Sequence, residues 1–348
     1  GRTVGPKAAN LGELHRLFPG KVAPALALPF GMFNEHISAG SPSLRDQMVA
    51  AYRARRAGEI DEAALLETLA EIRTRIASLT LTADARARVV RAMAAEFGSE
   101  PGYGLFIRSD TNVEDLPGFS GAGLSETVPN VVGMEQQLAS VSQVWSSVLS
   151  TRSVAWRANL MKNPERIYAS VLLMQSVPAD KSGVLVTTDL VSYGKGLTVS
   201  TAWGIGGAVA GEVAETLVLL PGGGQRLIHE AKAPYRRALA PGGGIEWHAA
   251  PDGAVLTTDE KRQLRELVVA VERKYKPVLG PDEKPMPWDI EFGFVDGNLT
   301  LFQIRPLVER GYQRAARVVR LLAGGAAATE KKAIDLSASV AFPEKEGS

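Results

Sequence analysis

The sequence predicts an α+β protein, and three observations carry that expectation. Leu65, Leu69, Ile72, Ile76 and Leu79 recur at steps of four and three, the spacing of one helix face inside an N-terminal helical block. Strand-like apolar runs follow over 104–108, 168–175, 183–187 and 197–203. Near the end, Asp289 to Pro306 reads as two strands around an Asp-Gly-Asn turn.

The 348 residues are enough for two or three packed units with a substantial core. Hydrophobic residues make up 45% and charged ones 22%, as in a globular protein. The formal net charge of +1 provides no electrostatic drive toward nucleic acid or an acidic membrane surface. Arg310, Arg314, Arg317 and Arg320 read accordingly as the solvated face of a basic helix. Without cysteine there is no disulfide, thiolate nucleophile or zinc–thiolate site. The chain has no apolar run of about 18 residues and no signal-like start, so a soluble, cytoplasmic protein is expected. Its abrupt opening at Gly1-Arg2-Thr3-Val4 suggests one piece of something longer.

In chain order, Val4-Gly5-Pro6-Lys7 is a tight turn that delivers a lysine to the start of a helix over 8–17. That position suits an anion, although a solvated surface lysine is the commoner case. A proline-punctuated connector from Pro19 to Pro29 leads into the helical block, and Thr82 caps a helix that ends near Gly98. The strand Gly104–Arg108 ends in an arginine. The segment from Ser109 to Thr127, rich in Gly, Ser and Thr, offers backbone amides to phosphate oxygens and suits a closing lid; the plainer reading is a surface loop. One long helix over 135–160 is expected to bury Leu138, Val141, Trp145, Val148 and Leu149. Gly204 to Val213 is a glycine-dense turn between strand-like segments, which excludes a dinucleotide fingerprint, and no Gly-x-x-x-x-Gly-Lys phosphate loop occurs. Gly222–Gly224 and Gly242–Gly244 read as turns. Leu264, Leu267, Val268, Val271 and Tyr275 form one face of a further helix. His15, His36, His229 and His248 stand apart, without metal-ligand spacing or a Ser/Asp arrangement.

The terminal hairpin carries the chemistry. Side chains two apart on a strand share a face, so Asp289 pairs in direction with Glu291, and Gln303 with Arg305. A two-residue loop would set Gln303 opposite Ile290, on the wrong face. A three-residue loop, Asp296 to Asn298, with Gly297 or Asn298 at positive φ, would set Glu291 opposite Gln303 and Asp289 opposite Arg305. Two adjacent carboxylates then call for a cation, and Mg²⁺ favours one or two carboxylates plus phosphate oxygens, with Arg305 taking a phosphate. An ordinary surface hairpin with a cross-strand ion pair explains the same residues equally well.

Four blocks, in order, resemble the nucleotide-binding domain of the dikinase family, which includes phosphoenolpyruvate synthase, pyruvate phosphate dikinase, rifampicin phosphotransferase and glucan water dikinase. They are Val4 to Glu13, Arg108 to Pro117, Gly121 to Val131, and Asp289-Ile290-Glu291 with Gln303-Ile304-Arg305-Pro306. The resemblance covers about Val4 to Leu307. It implies an ATP-grasp fold, two α+β lobes enclosing ATP, with an N-terminal lobe over 1–178, a C-terminal lobe over 179–310, and a helix and tail over 311–348. It implies that Lys7 and Arg108 contact ATP phosphates, that Gly123 and Thr127 belong to the phosphate-covering loop, and that Gln175 lies at the adenine hinge. Asp289 and Glu291 would hold Mg²⁺, and Gln303 and Arg305 would complete the phosphate site, with Arg108, Gln303 and Arg305 acting on the transferred group.

Three positions depart from the family pattern: Pro6 for glycine, Asp110 for serine, and Gly207 for glutamate. The dikinases pass phosphate to a histidine in a Gly-Gly-x-x-Ser-His type segment, and none of the four histidines has that context. The expected function is therefore an Mg-ATP-dependent phosphotransferase module whose phosphohistidine domain lies upstream or on a separate chain. The alternative is a non-catalytic ATP-binding module that regulates or assembles a partner.

Overall fold

A computed structural model of the protein describes residues 3–99, 102–114, 126–192, 194–208, 211, 213–280 and 283–307, the side chains of 158–160 excepted. All lie within the compact unit Gly1–Val308. The chain opens with α1 (Pro6–Leu17), β1 (Ala25–Leu28) and the helices α2 (Phe30–Ile37), α3 (Leu44–Ala57), α4 (Glu62–Ala77) and α5 (Ala83–Phe97). Strands β2 (Gly104–Thr111) and β3 (Thr127–Val132) precede α6 (Met134–Ser146) and α7 (Thr151–Leu160). Then come β4 (Ala169–Gln175), β5 (Lys181–Val186), β6 (Leu197–Trp203), β7 (Glu215–Leu219), β8 (Gln225–His229), β9 (Tyr235–Leu239) and β10 (Ile245–Ala249). Helix α8 (Thr258–Lys274) leads to the hairpin β11 (Trp288–Val295) and β12 (Asn298–Pro306). Among these, no helix is long and apolar enough to cross a membrane.

Local signals account for the helix boundaries. Ser43 and Asp46 form a capping box on α3, Asp61 and Thr82 cap α4 and α5 by accepting the amides of Ala64 and Ala85, and Thr257 with Glu260 boxes α8. The α4 face buries Leu65, Leu69, Ile72 and Ile76 as their spacing predicts, while Leu79, expected on the same face, lies past the helix end at Ala77 and is half-buried. The single helix expected over 135–160 is instead two. After α6 a short 3₁₀ turn covers Ser147–Leu149, Ser150 adopts an extended backbone (φ −60°, ψ 144°), and its hydroxyl caps α7 by accepting the Ser153 amide. A serine there offers the chain a new helix start, and the apolar residues on either side give no hint of it.

Among the described residues three antiparallel sheets result. Four strands run in the order β1-β4-β2-β3, six in the order β12-β11-β5-β6-β7-β8, and β9 pairs with β10. Strand β4 is buried on both faces. Val171 and Leu173 join the core made with the helical block, beside Leu65, Trp145 and Ile107, while Leu172 and Met174 join a second core with α1, α8 and the six-stranded sheet. The β9–β10 hairpin links the sheets at their margins. Arg237 bridges to Gly204 at the end of β6, and the turn at its tip receives the side chain of Asn130 from β3, whose Nδ2 lies 2.9 Å from both the Ala240 and the Gly244 carbonyls.

The edge of the six-stranded sheet is tied down by Asp189. Its carboxylate accepts the amides of Val191 (2.8 Å) and Ser192 (3.1 Å), the Ser192 hydroxyl, and Arg226 Nη2 (2.9 Å) on β8. Burial pushes the carboxyl up, but those donors outweigh it and bring the pKa down from 3.8 to about 2. A folded pKa below the unfolded one stabilises above the unfolded value and loses that stabilisation as pH falls toward the folded one. The stability gap between wild type and Asp189→Asn, from urea denaturation, should therefore be constant above about pH 5 and shrink steadily between about pH 4 and pH 3.

Candidate active site

Strand β2 brings the first part of the site. Arg108 lies opposite Leu172 and Asp110 opposite Ser170 on β4, so both point to the side facing the second core. Arg108 Nη2 is 3.2 Å from Gln303 Oε1 and 3.4 Å from Glu291 Oε2, and Nη1 is 3.7 Å from the Met174 sulfur. One guanidinium of the four-stranded sheet thus meets a carboxylate and an amide of the six-stranded sheet. Thr127 faces Arg108 across β3 and is exposed.

The hairpin β11–β12 brings the second part, by a route that differs from the expectation. Its turn has two residues, Asp296 and Gly297, with φ of 48° and 74°, between the opposed pair Val295 and Asn298. Positive φ at Gly297 is as expected; the three-residue loop is not. From the turn, Phe294, Gly293 and Phe292 face Leu299, Thr300 and Leu301; Phe302 is then passed over, and Glu291 faces Gln303 while Asp289 faces Arg305. A bulge at Phe302 therefore supplies the extra residue that the site requires. Gly293 makes it possible, because a Cβ there would lie 2.8 Å from Phe302 Cε2 and 3.1 Å from Ala179 Cβ. Asp289 Oδ2 accepts Arg305 Nε at 2.9 Å. The four side chains share one part-buried patch, with Glu291 19% and Asp289 12% exposed.

Helix α1 brings Lys7, which is not a solvated lysine. Its ammonium donates to the Ser109 carbonyl at 2.9 Å and lies 2.8 Å from Glu114 Oε2, both groups largely buried. Asp110 does not place a bare charge among incoming anions either. It is fully buried and accepts the backbone amides of Lys7 (3.0 Å) and Ala8 (3.1 Å), with Ser170 Oγ at 3.0 Å. Burial raises its pKa, opposed by those amides and by the Lys7 charge. Gly207 sits in the turn after β6, where Ser182 Oγ accepts the Gly206 amide and donates to the Gly204 carbonyl.

The structure thus gathers Arg108, Asp289, Glu291, Gln303 and Arg305, with Thr127 and Lys7 on flanking backbone. Gln175 closes β4, donates its amide to the Pro24 carbonyl, and pairs with Leu105, which places it on the strand face away from Arg108. Gly123 lies outside the described residues. Two contributors escape a reading of the sequence, Glu114 as the partner of Lys7 and Phe302 as the bulge. A lysine held out of water requires an acid, but nothing in the sequence says which one.

The donor set fits Mg²⁺. Two carboxylates on one strand-pair face match an ion that takes one or two protein carboxylates and completes its shell with phosphate oxygens and water. Among the described residues no group of three or more His, Asp or Glu forms an all-protein metal cage, so phosphate oxygens would have to share the ion.

Comparison with known proteins identifies the family. The family described as pyruvate phosphate dikinase, AMP/ATP-binding domain, matches residues 1–322, and the chain belongs to that family. It is similar to a rifampicin phosphotransferase of Streptomyces sp, 30% identical over 87% of this chain and 34% of that protein. It is also similar to the phosphoenolpyruvate synthase of Pyrococcus furiosus, 30% identical over 43% of this chain and 19% of that protein. A probable phosphoenolpyruvate synthase of Methanothermobacter thermautotrophicus is 26% identical over 88% of this chain and 44% of its own length. The chain spans about a third of the length of the rifampicin phosphotransferase that it matches.

The bulge has a direct test. Gly293→Ala forces a methyl against Phe302, and the variant should lose about 1–3 kcal/mol in urea unfolding.

Proposed function

We propose that this chain is the nucleotide-binding module of a dikinase-type phosphotransferase, with an ATP-grasp arrangement of lobes over 1–178 and 179–310 and a further segment over 311–348. In this reading it binds Mg-ATP and passes phosphate to a histidine on another domain or chain, in the cytoplasm. The observation that carries it is the meeting of Arg108 with Glu291 and Gln303 across two sheets, two register positions from Asp289 and Arg305 on the same face.

In this geometry each cation already has an internal carboxylate: Arg108 with Glu291, Arg305 with Asp289, Lys7 with Glu114. Incoming phosphates would take over Arg108, Arg305 and Lys7, and the released carboxylates of Asp289 and Glu291 would be the metal ligands. Gln303, buried at 6% exposure, stays as an uncharged partner that keeps the Arg108 guanidinium aimed at the site. Bound Mg²⁺ supplies charge neutralisation between phosphate oxygens. Transfer would break a phosphoanhydride P–O bond, the rest of the nucleotide leaving as a phosphate oxyanion, and form a P–N bond to the acceptor imidazole, so alignment and charge stabilisation are what the chain must provide. None of the four histidines touches Arg108 or its partners; His36 is buried with Nδ1 on the Met32 carbonyl and Nε2 on the Thr82 amide. That supports an acceptor outside this set of residues.

The three internal ion pairs also support a second reading. A site that is self-neutralised without nucleotide would let ATP act as a conformational signal, and the chain would then regulate or assemble a partner. ATP consumption on adding a histidine-bearing partner separates the two, being present for the first and absent for the second.

Calorimetric titration of the folded chain should show Mg-ATP binding, and no heat at about millimolar nucleotide overturns the proposal. Glu291→Gln should keep the fold and weaken Mg-ATP by about tenfold or more, because a neutral amide is a poor Mg²⁺ ligand.

A further inference from the structure

Helix α1 starts without a cap of its own. Gly5 has no side chain to offer, and Pro6 at the first helical position has no amide. The first two amides that the helix leaves open, those of Lys7 and Ala8, both go to the carboxylate of Asp110. Ser170 closes the knot. Its hydroxyl oxygen accepts the Gly5 amide at 3.0 Å and lies 2.8 Å from the Asp110 carbonyl and 3.0 Å from Oδ2. The fit leaves no room for a side chain at position 5, since a Cβ on Gly5 would lie 2.1 Å from Asp110 Oδ1. A buried carboxylate therefore sits where a helix N-terminus would otherwise receive an external anion.

Lys7 is the residue this knot fixes. Its backbone is held by Asp110, and its ammonium lands on the carbonyl of Ser109, between Arg108 and Asp110 in the strand. We propose that Asp110 is a positioning residue for Lys7: by filling the anion seat of α1 it sets the ammonium beside the Arg108 strand, so that a triphosphate is held by side-chain cations and not by the helix N-terminus. This rests on the Mg-ATP reading above. It explains how an acidic residue stands two positions from Arg108 without repelling the ligand, because its charge is spent on two amides, a hydroxyl and the helix dipole.

The test is a double-mutant cycle on Mg-ATP affinity, read by titration calorimetry, with melting temperature and circular dichroism recorded for each variant. Asp110→Asn keeps the shape but turns an amide donor toward an amide donor, which breaks one of the two bonds. Lys7→Ala and Asp110→Asn should each weaken Mg-ATP by about tenfold, and the double variant should bind no worse than Lys7→Ala alone. A purely structural role would lower the melting temperature yet leave affinity unchanged, or give losses that multiply in the double variant; either result overturns the proposal. Should Asp110→Asn not fold, Gly5→Ala, which displaces the carboxylate from the opposite side, replaces it in the cycle with the same expectation and the same refutation. If the folded wild type binds no Mg-ATP, the functional reading fails and this one with it. Normal wild-type binding with multiplying losses overturns the positioning role alone.

Discussion

Strand β4 is buried on both faces, and the rest of the structure is arranged around that constraint. A strand whose alternate side chains must enter two different cores cannot slip by one residue without exchanging them. Val171 and Leu173 commit one face to the helical block, and Leu172 and Met174 commit the other to α1 and the six-stranded sheet. Register along β2 follows, because its residues 105–111 pair with β4 one for one. Arg108 and Asp110 therefore face the second core as a result of packing, and both polar side chains must find partners there. Arg108 finds Glu291 and Gln303; Asp110 finds the start of α1.

The site is electrostatically closed before any ligand arrives. Three cations each face a carboxylate at 2.8 to 3.4 Å, and the side chains involved are largely out of water. Removing one member of such a pair leaves the other charge partly buried, which costs more than the pair itself gives. A multiply charged ligand with its own cation can exchange partners with both arginine pairs, phosphate taking Arg108 and Arg305 while the cation takes Glu291 and Asp289, without leaving either carboxylate uncompensated. This arrangement favours a metal–polyphosphate over either a lone anion or a lone cation.

Much of the scaffold was legible in the sequence because burial follows spacing. The α4 and α8 faces and the cap at Thr82 are local statements that the chain makes about itself. The shared direction of Asp289 and Glu291, and of Gln303 and Arg305, is local too, since strand alternation needs no tertiary knowledge. What stayed hidden depends on residues far apart. Ser150 begins a helix inside an apolar run, and serine alone does not distinguish a cap from a helix interior. Asp110 looked like a charge out of place because its partners, the amides of Lys7 and Ala8, lie 103 and 102 positions away. The bulge at Phe302 was invisible because its cause is an absent side chain on the neighbouring strand, at Gly293.

That bulge separates two jobs which a hairpin usually combines. In a regular hairpin the turn sets the phase of everything beyond it, so a change at the tip propagates to the far end of both strands. Here the phase is reset inside the sheet, between Glu291 and Phe292 on one strand and next to Gln303 on the other. The Asp296-Gly297 tip is thereby demoted to a simple reversal, limited to two residues that tolerate positive φ. The constraint moves inward, to a glycine and a phenylalanine that carry no charge.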